Sequence, residues 1–316
     1  MERSLTSPDY TPQFSGHESF HLRYGWLKKA YDQVSLALAS GRDPLKVFTD
    51  DDAIARFGVG KNMVASIRFW ATSCDVLSVE DGKIALGETG KRVLDDLGCD
   101  PYLENPNSLW LIHWNLASNV NRTSFFWAFN HFNEATFSKS LMEKKLFAHA
   151  EQYGWKKINR STADKDLAVL LNTYAMPALS KKSSQEDSLS SPLAELGLLR
   201  QSPEDKKYHF GWGLKPTLCD ELFLFALLQF WQRFSDANTL NIQSIMLEPG
   251  SPGRVFLMDE NELSMRLMRL SELTMNALAW SETAGLRQIV RSKEITVEKA
   301  WAHVTSSINS HHSKAA

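Results

Sequence analysis

The chain is poor in cysteine, in long apolar runs and in net charge, and each shortage removes a class of protein. Its three cysteines, Cys74, Cys99 and Cys219, are an odd number, lie far apart and form no C-x-x-C pair. That pattern excludes a thiolate zinc site and suits a reducing cytosol. No run of eighteen apolar residues occurs, and the opening MERSLTSPDYTPQF lacks the apolar stretch of a signal peptide. The expectation is therefore a cytoplasmic protein with no membrane segment. With a formal charge of only −2, any contact with nucleic acid has to come from a local basic face.

What the chain does have is apolar and aromatic matter. A 43% hydrophobic content over 316 residues is enough for two or three modest cores. The ten tryptophans and clusters such as FFWAF at 125–129 are expected inside. The fold class is mainly α with small β wings (α+β). The organisation expected is a winged-helix domain at 14–100, a helical connecting domain at 101–177, an exposed polar linker at 178–192 and a C-terminal α+β domain at 193–305.

Within these segments, periodicity predicts a helix over 22–38, with Trp26, Leu27, Ala30, Tyr31 and Val34 on one stripe. Asp50, Asp51 and Asp52 read as a cap for a short helix rather than as a metal site. A helix is expected at 162–174 and a short one at 193–199. An apolar helix is expected at 217–234, a strand entered through Ser251-Pro-Gly-Arg254, and helices at 260–272 and 283–291. Lys156, Lys157 and Arg160 form a small basic cluster.

Residues 50–94 carry the most specific pattern. A short helix with Ile54 and Phe57 runs into Gly58-Val-Gly60, and a second helix begins at Lys61. The glycines supply a sharp turn. At about 100° per residue, Met63, Val64, Ile67, Trp70, Ala71 and Cys74 fall on one arc of the second helix. The opposite arc holds Lys61, Asn62, Ser66, Arg68 and Phe69, mostly types that reach phosphates and base edges in a major groove. An outward phenylalanine is unusual there, and Phe69 is expected to touch either a neighbouring domain or a base methyl. VLSVEDGKIAL then alternates about Asp81-Gly82, the signature of a two-residue hairpin with Lys83 near its tip. Thr89 is placed as the cap of a following helix that carries Lys91 and Arg92. The whole reads as a winged helix-turn-helix with a basic face of Lys61, Arg68, Lys83, Lys91 and Arg92. A protein-docking winged helix that binds no DNA stays open at this point.

His17-Glu18-Ser19-Phe20-His21 spells H-E-x-x-H, which on a helix would hold zinc. The motif is discounted because Ser15-Gly16 upstream is turn chemistry and the helical stripe starts only near Leu22. A loop placement breaks the required i, i+4 geometry, so no metal site is assigned.

The segments FSGHESFHLRYGWLKKA (14–30), FGVGKNMVASIRFW (57–70), FFWAFN (125–130), SPLAELGLL (191–199), SPGRVFLMDE (251–260) and WSETAGLRQI (280–289) together resemble the bacterial family called domain of unknown function 4007. That family includes the DNA-nicking B component of the Ssp phosphorothioation system, an antiphage DNA modification. The resemblance implies a subunit that grips DNA and opens one strand for sulfur insertion. It also implies a cysteine desulfurase, an ATPase and a sulfur-transfer subunit as partners. A nicking reaction needs an acid or base, charge stabilisation and leaving-group help. The residues weighed for those roles are His17 as base or acid, Glu18 to orient it or hold a divalent ion such as magnesium, and Arg23 on the phosphate. The alternative is a noncatalytic winged-helix adaptor or transcriptional regulator. The family commonly has proline where this chain has His21, which agrees with a loop at His17 and Glu18.

Overall fold

A computed structural model describes residues 4–315 apart from 8, 157, 176–190 and 284, with side chains to 309. The expected linker thus lies outside the described residues except for Ser191 and Pro192, as does Lys157.

The first element is α1 (Trp26–Ala39), which buries the expected stripe of Trp26, Leu27, Ala30, Tyr31 and Val34. It begins at Trp26 rather than at residue 22 because Gly25 sits at φ 76, a left-handed conformation that ends the preceding loop. Two short helices follow, α2 (Lys46–Thr49) and α3 (Ala53–Phe57), then α4 (Lys61–Ser73). Gly58, at φ 67, closes α3 by donating its N–H to Ile54 O, and Val59 N–H reaches the same carbonyl. Asp52 does not cap α3 as expected: its carboxylate accepts both of its bonds from Arg56 one turn later.

The hairpin comprises β1 (Leu77–Glu80) and β2 (Lys83–Leu86), with Glu80 opposite Lys83. Asp81 and Gly82 both have positive φ, 50° and 76°, as a type I′ turn requires. Gly90–Leu94 is a single π-helical turn rather than a full helix. Thr89 does not cap it. The Thr89 hydroxyl instead donates to Asp75 and accepts from the Asn115 amide, which ties this turn to the next segment.

The helical middle comprises α5 (Pro106–Ala117), α6 (Thr123–Asn130), α7 (Lys139–Gln152) and α8 (Arg160–Tyr174), with a two-residue strand β3 (Thr136–Phe137) between α6 and α7. A 3-10 turn at Pro192–Leu196 occupies the place of the expected helix at 193–199, and Gly197 at φ 63 ends it. Then come β4 (Leu199–Gln201) and β5 (Tyr208–Phe210), which with β3 make a sheet ordered β3-β5-β4.

Helix α9 (Asp220–Phe234) is apolar almost all round and buried on most faces, as a helix enclosed by others must be. It touches α5, and two helices from later in the chain also cover it. Next are β6 (Thr239–Asn241), α10 (Ile242–Leu247), α11 (Pro252–Val255) and α12 (Glu260–Leu273). The strand expected after Ser251 is instead the turn α11. Ser251 caps it by accepting from Arg254 N–H, and Pro252 stands at the first helical position, where a missing N–H costs nothing. Asp259 caps α12 by accepting from Glu262 N–H.

The helix expected at 283–291 is a β-hairpin, β7 (Leu278–Thr283) and β8 (Leu286–Arg291), which joins β6 in a sheet ordered β6-β8-β7. Trp280 pairs with Ile289 across it, and Gly285 at φ 80 makes the turn. Only Ile289 is fully buried in β8, so no alternation marks the strand, and Leu286, Ile289 and Val290 read equally well at helical spacing. The last helix, α13 (Val297–Ala315), buries Ala300, Trp301, Val304 and Ile308 against α9. Its spacing was available in the sequence.

The buried side chains form one continuous cluster from Leu5 to Ile308. No described helix is long and apolar enough to cross a membrane.

Candidate functional site

Lys61 and Arg68 stand seven residues apart on α4, two turns and about 10.5 Å along one face. Lys61, Asn62 and Lys83 are exposed and Arg68 is half-buried. Among the described residues, Lys61, Arg68 and Lys83 have no ion pair or hydrogen-bonded carboxylate. Lys91 and Arg92 differ. Lys91 bonds Glu88, and Arg92 binds Glu88 and both oxygens of Glu298 while lying over the Trp301 ring. Their charge is therefore already answered by neighbouring carboxylates.

The other two residues on the outward arc of α4 are covered. Ser66 is fully buried, and its hydroxyl has no partner among the described residues. Phe69 is half-buried beneath the loop that precedes α1. A Cβ added to Gly16 would stand 2.7 Å from Phe69 Cδ2, so this loop lies on the ring only because residue 16 is glycine. His17 meets the same ring edge-on at 5.5 Å, and the Arg122 guanidinium lies 4.8 Å from its centroid. Phe69 thus touches the loop that precedes α1 and the Arg122 side chain.

The loop holding His17 and Glu18 is non-helical, with Ser15, Glu18 and Ser19 all at positive φ. No group of three or more His, Cys, Asp or Glu side chains among the described residues could hold a metal ion. The H-E-x-x-H residues therefore lie in a loop, without helical i, i+4 spacing. His17 is only 2% exposed. Ser19 N–H donates to its Nδ1 at 3.1 Å, which puts the ring proton on Nε2, and Nε2 donates to Asp166 Oδ1 at 2.5 Å. Ser15 N–H donates to the same oxygen. Both ring nitrogens are occupied, so in this arrangement His17 fastens the loop to α8. Glu18 is exposed, and Arg23 is half-buried over the Phe20 and Trp26 rings.

The sequence reading passed over Arg122 and Asp166. Arg122 ends the amide-rich turn Asn119-Val-Asn121 just ahead of the aromatic helix α6, and that polar turn was the available signal. Burial pushes its guanidinium below its ordinary value. It lines a cleft of about 860 Å³ with Asp75, Asn115, Asn121, Arg233 and Phe234. Asp75 is held at Oδ2 by the Thr89 N–H and hydroxyl, and burial raises its carboxyl above the usual range. The cleft adjoins the base of β1 at Leu77 and Ser78.

The thiols are not candidates for chemistry. Burial pushes Cys74, Cys99 and Cys219 up to about 12, far from the thiolate state.

A crystal structure of magnesium ion-bound SspB is similar to this chain at 25% identity and a TM-score of 0.78, covering 98% of this chain and 100% of that one. A second SspB crystal structure is similar at 27% identity and a TM-score of 0.80, covering 96% and 90%. No curated protein matches the sequence. The family described as "Protein of unknown function (DUF4007)" matches residues 14–306, and the chain belongs to it.

Proposed function

We propose that this chain is the DNA-gripping subunit of a DNA phosphorothioation system and opens one strand of the duplex so that sulfur can enter the backbone. The observation that carries the reading is whole-length likeness to SspB structures together with membership of the family. In this reading, residues 50–94 act as a winged helix-turn-helix. Helix α4 enters the major groove with Lys61, Asn62 and Arg68, and Lys83 on the hairpin meets the backbone. Three cations without carboxylate partners on an otherwise near-neutral molecule supply the local attraction that phosphate binding needs. The desulfurase, ATPase and sulfur-transfer subunits are its working partners.

For strand opening, Glu18 and Arg23 are the members of the loop still accessible to a phosphate, and His17 positions them. One similar structure carries magnesium. Magnesium keeps several waters and is held through one or two carboxylates plus substrate phosphates, so an exposed Glu18 fits such an ion where a zinc centre does not fit.

The occupied nitrogens of His17 favour a second reading, a noncatalytic adaptor or transcriptional regulator that delivers other enzymes to DNA. Incubating the protein with supercoiled plasmid and magnesium or manganese separates the two. Open circles are expected from a nickase, and retention of the plasmid without conversion leaves the adaptor.

A further inference from the structure

We propose that the cleft beside β1 is a single-strand site, in which Arg122 binds a backbone phosphate and Phe234 stacks on a base. The inference rests on the DNA reading above and adds a second contact surface to it.

The argument begins with Arg122. Its guanidinium makes no hydrogen bond among the described residues and its Nε is buried without a partner, while the Asp166 carboxylate, engaged by His17 and Ser15, acts on it only through space. A half-buried guanidinium with no hydrogen-bonded carboxylate, beside a cleft, gains from an anion that binds it directly. Phe69 supports the group from one side, so it is held in place before any ligand arrives. The carboxylate that would repel an anion here, Asp75, has Oδ2 engaged by Thr89. Asn115 and Asn121 add neutral amides to the wall, and Arg233, exposed and bonded through Nε to Gln229 O, adds a second guanidinium.

An aromatic surface lies on the same wall. Phe234 is 42% exposed, stacked at 5.0 Å and 20° on the buried Phe230, and both rings line the cleft. A partly exposed ring braced by a stacked neighbour can serve as a base-stacking platform, and guanidinium plus aromatic is the pairing that single-strand sites use. The volume falls within the roughly 300–1,000 Å³ of small-ligand clefts, adequate for an unpaired nucleotide. Because the cleft abuts the hairpin, a strand freed beside the duplex-binding face has a short path into it.

The test uses the full-length protein and fluorescence anisotropy with a labelled single strand of about twelve nucleotides, beside a duplex of the same length. Arg122→Gln is expected to weaken single-strand binding about tenfold and Phe234→Ala about fivefold or more, while duplex binding holds. The double variant Lys61→Glu/Arg68→Glu is expected to do the reverse. If Arg122→Gln does not fold, Arg122→Lys and the surface change Phe234→Ala carry the test. Unchanged single-strand affinity in folded Arg122 and Phe234 variants overturns the proposal. So does equal competition by dAMP or inorganic phosphate, which would make the cleft a site for free phosphate compounds. Loss of duplex binding alone counts against the proposed function and leaves the cleft standing.

Discussion

Gly16 and Phe69 are locked together: the glycine, at φ 99, lies flat on a ring that the helical pattern of α4 turns away from its own core. This contact seats the 14–24 loop over α4 and brings His17 and Arg122 to the same aromatic ring. Gly16→Ala combines a strained backbone with a 2.7 Å clash and is expected to cost about 1–3 kcal/mol. Urea unfolding checks it, and a midpoint equal to wild type would show that the loop is not held in this way.

Asp166 accepts from both His17 Nε2 and Ser15 N–H in a buried setting. Asp166→Ala leaves those donors unsatisfied and is expected to destabilise by about 1–3 kcal/mol. His17→Gln tests the fastening role from the other side. Reduced stability together with lowered nicking fits a positioning residue, whereas full stability with nicking abolished would make His17 catalytic.

The two sets of cations on and near the hairpin are expected to behave differently. Lys61→Glu, Arg68→Glu or Lys83→Glu should weaken duplex binding and lower the slope of log affinity against log salt by about 0.9 for each phosphate contact removed. Arg92→Ala should leave that slope alone, because Glu88 and Glu298 already engage the guanidinium. A salt-independent affinity of the wild type would argue against phosphate contact altogether.

Burial holds His113 down to about 3 and His131 and His149 down to about 4, against an ordinary 6.5. Above about pH 6.5 neither folded nor unfolded chain protonates these rings. Below it the unfolded chain takes up protons that the folded chain refuses until about pH 4 or 3, so stability falls as pH falls through that window. Urea midpoints at about pH 7.5 and about pH 5 should show the loss, and the double variant His131→Phe/His149→Phe should shrink it. Equal midpoints for the wild type would mean that these rings are protonated in the folded state.

Much of the fold was legible locally. The stripe on α1, the glycine turn at 58–60 and the Asp81-Gly82 hairpin are fixed by neighbours within a few residues, so periodicity and turn chemistry are sufficient. The resemblance of six separated segments likewise located the family before any contact was known. Where local signals tied, the sequence reading went wrong. Leu286 to Arg291 fits either period, and pairing with β6 and β7 made it a strand. Ser251-Pro252 signals a cap and first helical position, yet the apolar Val-Phe-Leu-Met run after it hid a helical turn.

The sequence alone determined how the residues of α4 are spaced around the helix, because 3.6 residues per turn is a property of the backbone. Only the tertiary structure decided what each of them meets. Ser66 is buried and Phe69 is sheltered by the 14–24 loop and Arg122, Arg92 is taken by Glu298 over two hundred residues away, and Lys61, Arg68 and Lys83 remain for a partner. A helical period specifies direction, and coverage depends on which distant segments fold back across it.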